Sequence, residues 1–543
     1  MNKVEKYLVE KGFDLNKLLK DTTDYRVTNM DKAAVEIKKA IAEGKHIFVV
    51  ADYDVDGVMS GMNLATILTH MGANFTMRFP RRKSEGYGIA VKMVDEAPDG
   101  ALIITIDNGI AAIEAIEYAK EKGHRVVILD HHEKRDDGLI PNADVVVNPH
   151  IFREEGEFEH YCGAGLAYML ARELDMPVEI IRQVKTYAAF ATVQDVVPLV
   201  DNNRNIVKDG LILLNAQVVP MDGIYSLCSA LKLMPNRDKK LGINEEDISF
   251  QIGPCINSMG RMYDDGAQKT FEYLMHYKKH GEDGIAAIVE CNKFRKEKTV
   301  EQQNRIEIEA QSILAKNKKT TCMVVYLPEL EEGIIGINAA KVVEQYNMPA
   351  IVFTNSEDPE IYKGSARSVD DVNVKEQLDK VAELIYKYGG HKGAAGLSVE
   401  KKNFDAFVAA LNAVVPKSAM RKNTWEYDLE IEESEIPDMY EALRKYAPFG
   451  EACRAPIFKV NNFHLAKNFG KYYRLIGDNG ISLNGQNTEA VSFTLKDKYS
   501  KLGHPLNLNI VGNIGYSRFS KKPNIMLNDF QSLIEKQDTG FLI

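Results

Sequence analysis

The sequence predicts an α/β protein with an open parallel sheet, followed by a smaller α/β unit and a β-rich C-terminal region. Three short apolar, β-branched runs lie at residues 46–51, 101–106 and 125–129, and helical patterns separate them. Buried parallel strands have this appearance, because both of their faces are covered by helices. Each run is followed directly by Asp. In open α/β sheets the functional groups lie just past the carboxyl ends of the strands.

Length and composition narrow the class of protein. The chain has 543 residues, enough for several domains of about 150 residues each. Its 45% hydrophobic and 27% charged content exclude a disordered chain, and no apolar stretch is long enough to predict a membrane span. Six isolated cysteines and a charged, amphipathic start predict a reduced, cytoplasmic protein. The net charge of -10 argues against non-specific coating of nucleic acid but allows a local basic groove.

A long, charged helical stretch at residues 281–318 follows the first α/β unit. Its apolar positions are too sparse for a buried core helix, so we expect it to connect two lobes. Apolar runs at residues 321–327 and 350–353 open the second lobe, which also carries glycine-rich segments at residues 364–368 and 389–396.

Short alternating runs separated by Asn/Gly turns begin after Trp425 and predict a small antiparallel barrel or sandwich. These runs lie at residues 457–460, 472–476, 489–495 and 506–511. From Pro456 onward, eleven basic residues stand against six acidic ones. Aromatic residues interleave with these charges: Tyr472, Tyr473, Tyr516 and Phe519. Basic groups with aromatic platforms predict single-strand binding, while the alternative is that the aromatic rings fill the barrel core.

We therefore expect four parts of the chain. The first is an α/β domain at residues 1–280, whose first ~45 residues form a helical lead-in. The connecting helix at residues 281–318, a smaller α/β domain at 319–418 and a β domain at 425–543 follow it.

Carboxylates at alternate positions follow the first predicted strand, at Asp52, Asp54 and Asp56. In an extended segment such side chains project the same way and can converge on one cation. Further candidate ligands follow later in the chain: Asp107, Asp130, His131, His132 and Asp195. Oxygen and imidazole ligands suit Mn²⁺ or Mg²⁺, and two such ions support in-line displacement at phosphorus. Each Asp taken alone is more often a helix cap or turn residue, but clusters at successive strand ends favour a metal site.

The segment Asp130-His131-His132 resembles the signature of the DHH phosphoesterase superfamily, and residues 389–396 resemble its DHHA1 domain. Within the superfamily, the chain is most similar to the RecJ branch of bacterial single-strand exonucleases, which degrade DNA from the 5′ end. The similar segments are residues 51–57, 85–88, 162–165, 194–199, 364–368 and 446–450. The last of these introduces an OB-fold domain in that branch, and the resemblance runs from residue 46 to the C-terminus.

The resemblance implies two divalent cations, Mn²⁺ or Mg²⁺, bridged by Asp107. The ligands that it implies are Asp52, Asp54, Asp56, Asp107, His131 and Asp195. The residues expected to be catalytic are Asp107, His131, His132 and Asp195. Two roles fit His132 equally well: it could support a neighbouring metal ligand, or it could face the phosphate of the substrate. Two departures stand out: Val50 occupies a position where small DHH phosphodiesterases have His, and Cys255 a position where the branch usually has Arg.

Candidate substrate contacts are basic or polar residues in glycine-rich surroundings. Arg81 and Arg82 precede a glycine-rich turn, where backbone can approach a phosphate, although a solvated basic turn has the same composition. The second lobe supplies Ser365, Arg367 and His391, which together could hold an anion. Arg261 is a further candidate, for a terminal phosphate.

The sequence thus predicts a metal-dependent 5′-to-3′ exonuclease acting on single-stranded DNA in repair and recombination. Two alternatives are a DHH phosphodiesterase for oligoribonucleotides or cyclic dinucleotides, and an inactive DHH scaffold in a replication complex. The expected partners are single-stranded DNA and a single-strand-binding protein or a helicase. We expect a monomer with no membrane association.

Overall fold

The computed structural model describes residues 1–20, 26–135, 137–234, 242–369, 372–416, 425–468, 470–476, 479–486, 488–518 and 520–533. Its helices are α1 Lys3–Glu10, α2 Leu15–Leu19, α3 Met30–Ala42, α4 Val55–His70, α5 Val91–Val94, α6 Ile113–Glu121, α7 Gly163–Glu173, α8 Val178–Gln194, α9 Asp201–Ala216, α10 Asp222–Ala230, α11 Glu245–Asp247, α12 Gly253–Met262, α13 Gly266–Met275, α14 Tyr277–Lys316, α15 Ile335–Tyr346, α16 Val374–Asp379, α17 Phe404–Val414, α18 Ile436–Tyr446 and α19 Lys496–Lys501. A π-helical segment, Ile248–Ile252, joins α11 to α12.

The first sheet is fully parallel, with the strand order β2-β1-β3-β4-β5. Its strands are β1 Ile47–Ala51, β2 Phe75–Arg78, β3 Leu102–Ile106, β4 Arg125–Leu129 and β5 Val145–Val147. Strands β1 and β3 are buried at every position, as the apolar runs predict. The two edge strands escaped prediction, because β2 alternates in exposure and β5 is only three residues long.

Alternate residues of the first sheet point into two helical layers. Val49 and Ile104 pack in the core that contains α4, α7 and α8, whereas Val50 and Ile103 pack in the core that contains α5 and α6. This double coverage explains why the strands are apolar throughout. The helices cover the two faces of the sheet but not the carboxyl ends of its strands. Polar side chains can therefore meet at these strand ends.

Helix α14 connects the two lobes, and Gly281 (φ 60°) interrupts its first turn. Its residue Ile288 belongs to the core of the first lobe, and Ile306 belongs to a core of the second. Sparse apolar positions therefore suffice, because each end of the helix is buried against a different lobe.

The second sheet has the order β6-β7-β8-β10-β9 and is antiparallel except for the β6–β7 pair. Its strands are β6 Met323–Tyr326, β7 Ala350–Asn355, β8 Ile361–Arg367, β9 Lys387–His391 and β10 Ala394–Glu400. One face shares a core with α17, in which Phe353 and Phe407 pack. On the other face, Val352 packs with residues of α15, such as Ala339.

The third sheet has seven strands in the order β11-β12-β16-β17-β15-β14-β13. They are β11 Leu429–Glu432, β12 Phe458–His464, β13 Tyr473–Ile476, β14 Gly480–Asn484, β15 Glu489–Ser492, β16 Asn507–Ser517 and β17 Lys522–Ser532. The sheet is mainly antiparallel, as expected, but β11–β12 and β15–β17 are parallel pairs. Within the described ranges no hydrogen bonds join its two edge strands, so the sheet is open where a closed barrel was one expectation.

The N-terminal helices share their core with the third sheet. Val4 and Leu8 of α1 pack with Ile431 and Tyr446, because the apolar face of this amphipathic helix needs a cover. Of the first ~45 residues, which we expected to lead into the first domain, α1 and α2 thus pack with the C-terminal sheet, whereas α3 packs in the core of the first lobe. Arg204 of α9 also reaches this region, and its buried guanidinium donates to the carbonyl oxygens of residues 446–448.

All six cysteines are buried and free, as the sequence predicts. None of the helices in the described part of the chain combines the length and the apolar character that a membrane crossing requires.

Candidate active site

The loop after β1 brings three carboxylates to the edge of the first sheet. Asp54 caps α4, and its Oδ1 accepts a hydrogen bond of 3.1 Å from the Gly57 amide. A Cβ at Gly57 would lie 2.1 Å from the carbonyl oxygen of Asp52, so only glycine allows the chain to turn this tightly. The buried Asp52 carboxylate keeps one oxygen, Oδ1, without a hydrogen-bond partner.

The side chain of Asp56, in the first turn of α4, lies against the N-terminus of α7. The amides of Gly163 and Ala164 donate to its two carboxylate oxygens at 2.6 and 2.7 Å, and Ser60 Oγ donates at 3.2 Å. A helix N-terminus offers free backbone amides to an anionic group, so α7 orients this carboxylate.

Asp107 directly follows β3 and adopts a left-handed conformation (φ 61°). A Cβ at Gly163 would lie 2.5 Å from the Asp107 Cβ. The glycine at the start of α7 is therefore required for the close approach of this helix to the carboxylate. This contact explains part of the segment 162–165 that the sequence analysis singled out.

Asp130 organises the two histidines after β4 without joining the ligand groups itself. Its Oδ1 accepts from the amides of His131 (2.8 Å) and His132 (3.2 Å), and its Oδ2 accepts from the Ile110 amide at 2.8 Å. His132 Nδ1 lies 2.8 Å from the same carboxylate. Burial alone would raise the pKa of Asp130, but the hydrogen bond from His132 lowers it.

The two histidines differ in charge. Burial lowers the pKa of His131 to about 4, so this imidazole is neutral and offers a nitrogen lone pair. Its Nε2 lies 3.1 Å from Asp107 and 3.6 Å from both Asp56 and Asp195. For His132 the hydrogen bond and charge of Asp130 outweigh desolvation and raise the pKa to about 9. The His132 side chain is 42% exposed and lies at the open side of the group.

Asp195 ends α8, and its amide donates to the Ala191 carbonyl at 2.8 Å. The residue after it, Val196, adopts a left-handed conformation (φ 56°), which is strained for a β-branched side chain. A strained residue next to a ligand candidate indicates that the surrounding packing fixes this carboxylate in place.

Three overlapping groups of side chains could each hold a cation, with ligand atoms within 4.8 Å of one another. The groups are Asp52-Asp54-Asp107, Asp56-His131-Asp195 and Asp107-His131-His132. Asp107 and His131 each belong to two of these groups. We call Asp52, Asp54, Asp56, Asp107, His131 and Asp195 the acidic cluster.

The acidic cluster has the properties of a cation site. Burial, followed by the charges of neighbouring carboxylates, raises the pKa of Asp52, Asp107 and Asp195 well above the usual range. Buried like charges destabilise a fold unless an opposite charge compensates them. A divalent cation would supply that charge and a partner for the free oxygen of Asp52, and the oxygen-rich ligand set suits Mn²⁺ or Mg²⁺.

Tyr87 is a site residue that the sequence analysis quoted only as part of a turn. Its hydroxyl donates to the backbone oxygen of Asp107 at 3.0 Å and lies 3.1 Å from His132. The resemblance of residues 85–88 to the family was the only sequence feature that pointed to Tyr87. Its contacts with Asp107 and His132 form because the fold brings this turn against the end of β3.

Four arginines lie close to one another beside the acidic cluster, and we call Arg82, Arg261, Arg295 and Arg367 the arginine pocket. The charge of Arg82 acts on Asp52, and that of Arg261 acts on Asp54. Burial, then the charges of Arg82 and Arg295, lower the pKa of Arg261 to about 10, and Arg367 also contributes. Arg82 lies over the Tyr53 ring at 4.6 Å. Like charges gathered in this way favour an anionic ligand.

The second lobe contributes Arg367 and Ser365, whose side chains are hydrogen-bonded at 3.0 Å. Both border the start of α15, where a Cβ at Gly336 would lie 2.8 Å from Arg367 Nη2 and 3.0 Å from Ser365 Oγ. His391 shares a sheet row with Arg367, because Ala394 pairs with both residues. Its imidazole is exposed and accepts from the Gly393 amide at 3.3 Å.

Arg295, on α14, was not among the predicted site residues. Its guanidinium is buried and donates through Nε and Nη2 only to Asn292 Oδ1, at 3.2 and 2.9 Å. No carboxylate of the described residues forms an ion pair with it. Arg81, by contrast, is exposed, and its backbone amide donates a hydrogen bond to the Glu85 carboxylate.

Several basic residues of the third sheet are neutralised locally. Arg474 pairs with Glu489 at 2.6 Å, and Lys498 pairs with Asp529. Arg518 binds Asp247 of the first lobe and therefore stabilises an interface. Lys467, Lys471 and Lys501 form no ion pair with any described residue. Of the aromatic residues, Tyr472 carries the Lys467 ammonium over its ring at 5.4 Å, and Phe519 lies outside the described residues.

Comparisons with known proteins agree with this architecture. Family models match residues 46–192 (DHH family, N-terminal domain), 319–417 (DHHA1 domain) and 427–529 (RecJ OB domain). The single-stranded-DNA-specific exonuclease RecJ of Bacillus subtilis is 29% identical over 97% of this chain and 67% of its own.

Two solved structures are similar as well. The Thermus thermophilus RecJ complex with Mn²⁺ superposes with a TM-score of 0.76 at 23% identity, over 97% of this chain and 76% of the other. A manganese-bound exonuclease RecJ gives a TM-score of 0.60 at 26% identity, over 74% of this chain and 97% of the other. The three domains in this order show that the chain belongs to the RecJ family of DHH phosphoesterases.

Proposed function

We propose that the protein is a metal-dependent exonuclease that degrades single-stranded DNA from the 5′ end, in the cytoplasm, during repair and recombination. The observation that carries this proposal is the closeness of the acidic cluster and the arginine pocket, in which the charges of Arg82 and Arg261 act on Asp52 and Asp54. A phosphodiester needs both: cations at the scissile phosphorus and cationic side chains along the backbone. Relatives named single-stranded-DNA-specific exonucleases support the choice of substrate.

The acidic cluster would hold two divalent cations, Mn²⁺ or Mg²⁺, with Asp107 shared between them. Such ions supply an activated water and neutralise charge at the phosphorus. The chain's own residues do the rest: α7 orients Asp56, and Asp130 holds both histidines. His132, partly exposed and protonated, would donate a hydrogen bond to the scissile phosphate as negative charge develops there.

The arginine pocket, with Ser365 and the start of α15, would bind the 5′-terminal phosphate. A phosphomonoester carries more charge than an internal diester, so converging guanidiniums favour the terminus. The buried Arg295 has no acidic partner among the described residues and would position Arg261 by repulsion. His391 and Arg81 would contact the strand at the edge of this pocket.

The third sheet would hold the more distant part of the strand, through lysines that its own carboxylates leave unpaired. We further propose that the protein acts as a monomer and that a single-strand-binding protein or a helicase delivers the strand to it.

Single strands labelled at the 5′ or the 3′ end test this proposal. Incubated with Mn²⁺ or Mg²⁺, the 5′-labelled DNA should release labelled mononucleotide at once, while the 3′ label should persist in shortening strands. RNA strands and cyclic dinucleotides in the same assay separate the alternative substrates. Early release of the 3′ label would reverse the polarity, and hydrolysis confined to dinucleotides would favour a small-molecule phosphodiesterase.

A further inference from the structure

One continuous helix runs from residue 245 to residue 262, because α11, the π-helical segment and α12 follow without a break. Its first flank packs on the metal lobe: a Cβ at Gly260 would lie 3.1 Å from the Tyr53 carbonyl oxygen. Its second flank packs on α14, where Ser258 Oγ lies 3.4 Å from the Ile288 carbonyl oxygen. The face between these flanks is more open and carries Arg261 of the arginine pocket.

Four of the less buried residues of this helix recur on that open face: Phe250, Pro254, Asn257 and Arg261. Their spacing of four, three and four residues places them in one row along the helix axis. Arg261, in the arginine pocket, stands at one end of the row. Phe250 stands at the other end, and its large aromatic side chain is 73% exposed.

The backbone around Phe250 is also unusual. It lies in the π-helical segment, and π-helical turns are rare and concentrate at functional sites. Gln194 Nε2 donates to the Ile248 carbonyl at 2.8 Å, and a Cβ at Gly253 would overlap the Gln194 side chain at 1.9 Å. Since Gln194 precedes Asp195, the segment that presents Phe250 contacts the chain neighbour of an acidic-cluster residue.

We propose that Phe250 stacks on a base of the bound strand at a fixed distance from the terminal-phosphate pocket; this inference rests on the proposed function. Eleven residues separate Phe250 from Arg261, a distance of ~16 Å along a helix. A stacked strand rises ~3.4 Å per nucleotide, so the base lies within about the first five nucleotides from the 5′ end. Because every base has a stacking face, such a contact holds the strand without reading its sequence.

An abasic scan tests the contact. Ten-nucleotide strands with a 5′-phosphate carry one abasic position, which moves stepwise from the first to the sixth nucleotide. With wild type, KM for the first cleavage should rise roughly 10-fold at one position, as expected for the loss of one stacked base. Phe250→Ala should raise KM for intact strands by a similar factor and should remove the extra effect of the abasic site at that position.

Two variants complete the design. Phe250→Trp keeps a stacking surface and should restore both the affinity and the sensitivity to the abasic position. Phe294→Ala removes another exposed ring, which lies on α14 outside the row, and should change neither. Thermal melting checks that all variants are folded.

Two outcomes exclude the contact. In the first, the increases in KM caused by Phe250→Ala and by the abasic site multiply at every position, as independent effects do. In the second, KM of wild type does not depend on the position of the abasic site. Those outcomes leave the proposed exonuclease activity intact. Failure of wild type to degrade any single strand would instead overturn both the activity and the contact.

Discussion

The acidic cluster and the arginine pocket are opposite in charge but alike in construction. In the first, burial and neighbouring carboxylates raise the pKa of Asp107; in the second, burial and neighbouring guanidiniums lower the pKa of Arg261. Each gathers like charges in a poorly hydrated place, which destabilises the fold unless an opposite charge binds. The opposite signs favour two kinds of ligand, and we propose cations at the acidic cluster and phosphate at the arginine pocket.

The largest expected effect comes from the removal of a carboxylate from the acidic cluster. Asp107→Ala should reduce hydrolysis by at least about 10³-fold, since the loss of a shared carboxylate removes several kcal/mol of stabilisation from both cation positions. Single-strand binding, measured by fluorescence anisotropy, should persist because the arginine pocket is intact. Asp31→Ala, an exposed acid on α3, is the control. Near-normal turnover of the Asp107 variant at saturating Mn²⁺ would exclude the shared-ligand role.

A smaller loss should follow from a change in packing that keeps every ligand. Gly163→Ala places a methyl group 2.5 Å from the Asp107 Cβ and 2.9 Å from Ser60 Oγ, so the carboxylate must move. A displacement of this kind costs about 10²-fold in rate. In Gly165→Ala the nearest atom is Tyr161 Cδ1, at 3.3 Å, so turnover should fall much less. Equal turnover of both variants would show that the approach of α7 does not position the cluster.

On the phosphate side, Arg367→Ala should remove most of a preference for a 5′-phosphate over a 5′-hydroxyl. Charge-assisted hydrogen bonds contribute about 1.5–3 kcal/mol, so kcat/KM for the phosphorylated strand should fall by roughly 10- to 100-fold. Cleavage of 5′-hydroxyl strands should change little. Arg367→Lys should keep part of the preference, and Arg444→Ala, an exposed arginine of α18, should keep all of it. A preference that survives Arg367→Ala would place the terminal phosphate elsewhere.

The smallest effect on hydrolysis concerns the third sheet. Replacing Lys467, Lys471 and Lys501 with Gln should reduce the slope of log affinity against log salt by about 2 for long strands. Hydrolysis of very short strands should change less than affinity for long ones. These substitutions are preferable to deleting the sheet, because α1 would lose its cover. The matched control replaces Lys38, Lys39 and Lys45, which are exposed on the first lobe. An unchanged slope would remove the third sheet from the strand path.

The three central strands of the first sheet, β1, β3 and β4, could be predicted from sequence because they are continuous apolar runs followed by polar residues. Asp107 directly follows β3 and His131 is the second residue after β4, so the parallel pairing of these strands brings them close together. Arg295 and Phe250 could not be found this way. The role of Arg295 depends on neighbours more than thirty residues away, and that of Phe250 depends on a π-helical segment without a sequence signature.

The C-terminal region shows the same limit. Alternating runs predicted individual strands of the third sheet, but the parallel pairing of β15 with β17 joins segments about thirty residues apart. The packing of α1 against Ile431 joins segments more than four hundred residues apart. Periodicity reports which face of an element is buried, not which partner covers it.

Titration of metal-free protein with Mn²⁺, followed by calorimetry and by electron paramagnetic resonance, tests the central claim most directly. Two ions per chain should bind, and the second should alter the resonance of the first because Asp107 contacts both. Asp107→Ala should abolish that coupling. One ion per chain, or two ions without coupling in the wild type, would contradict the two-cation centre.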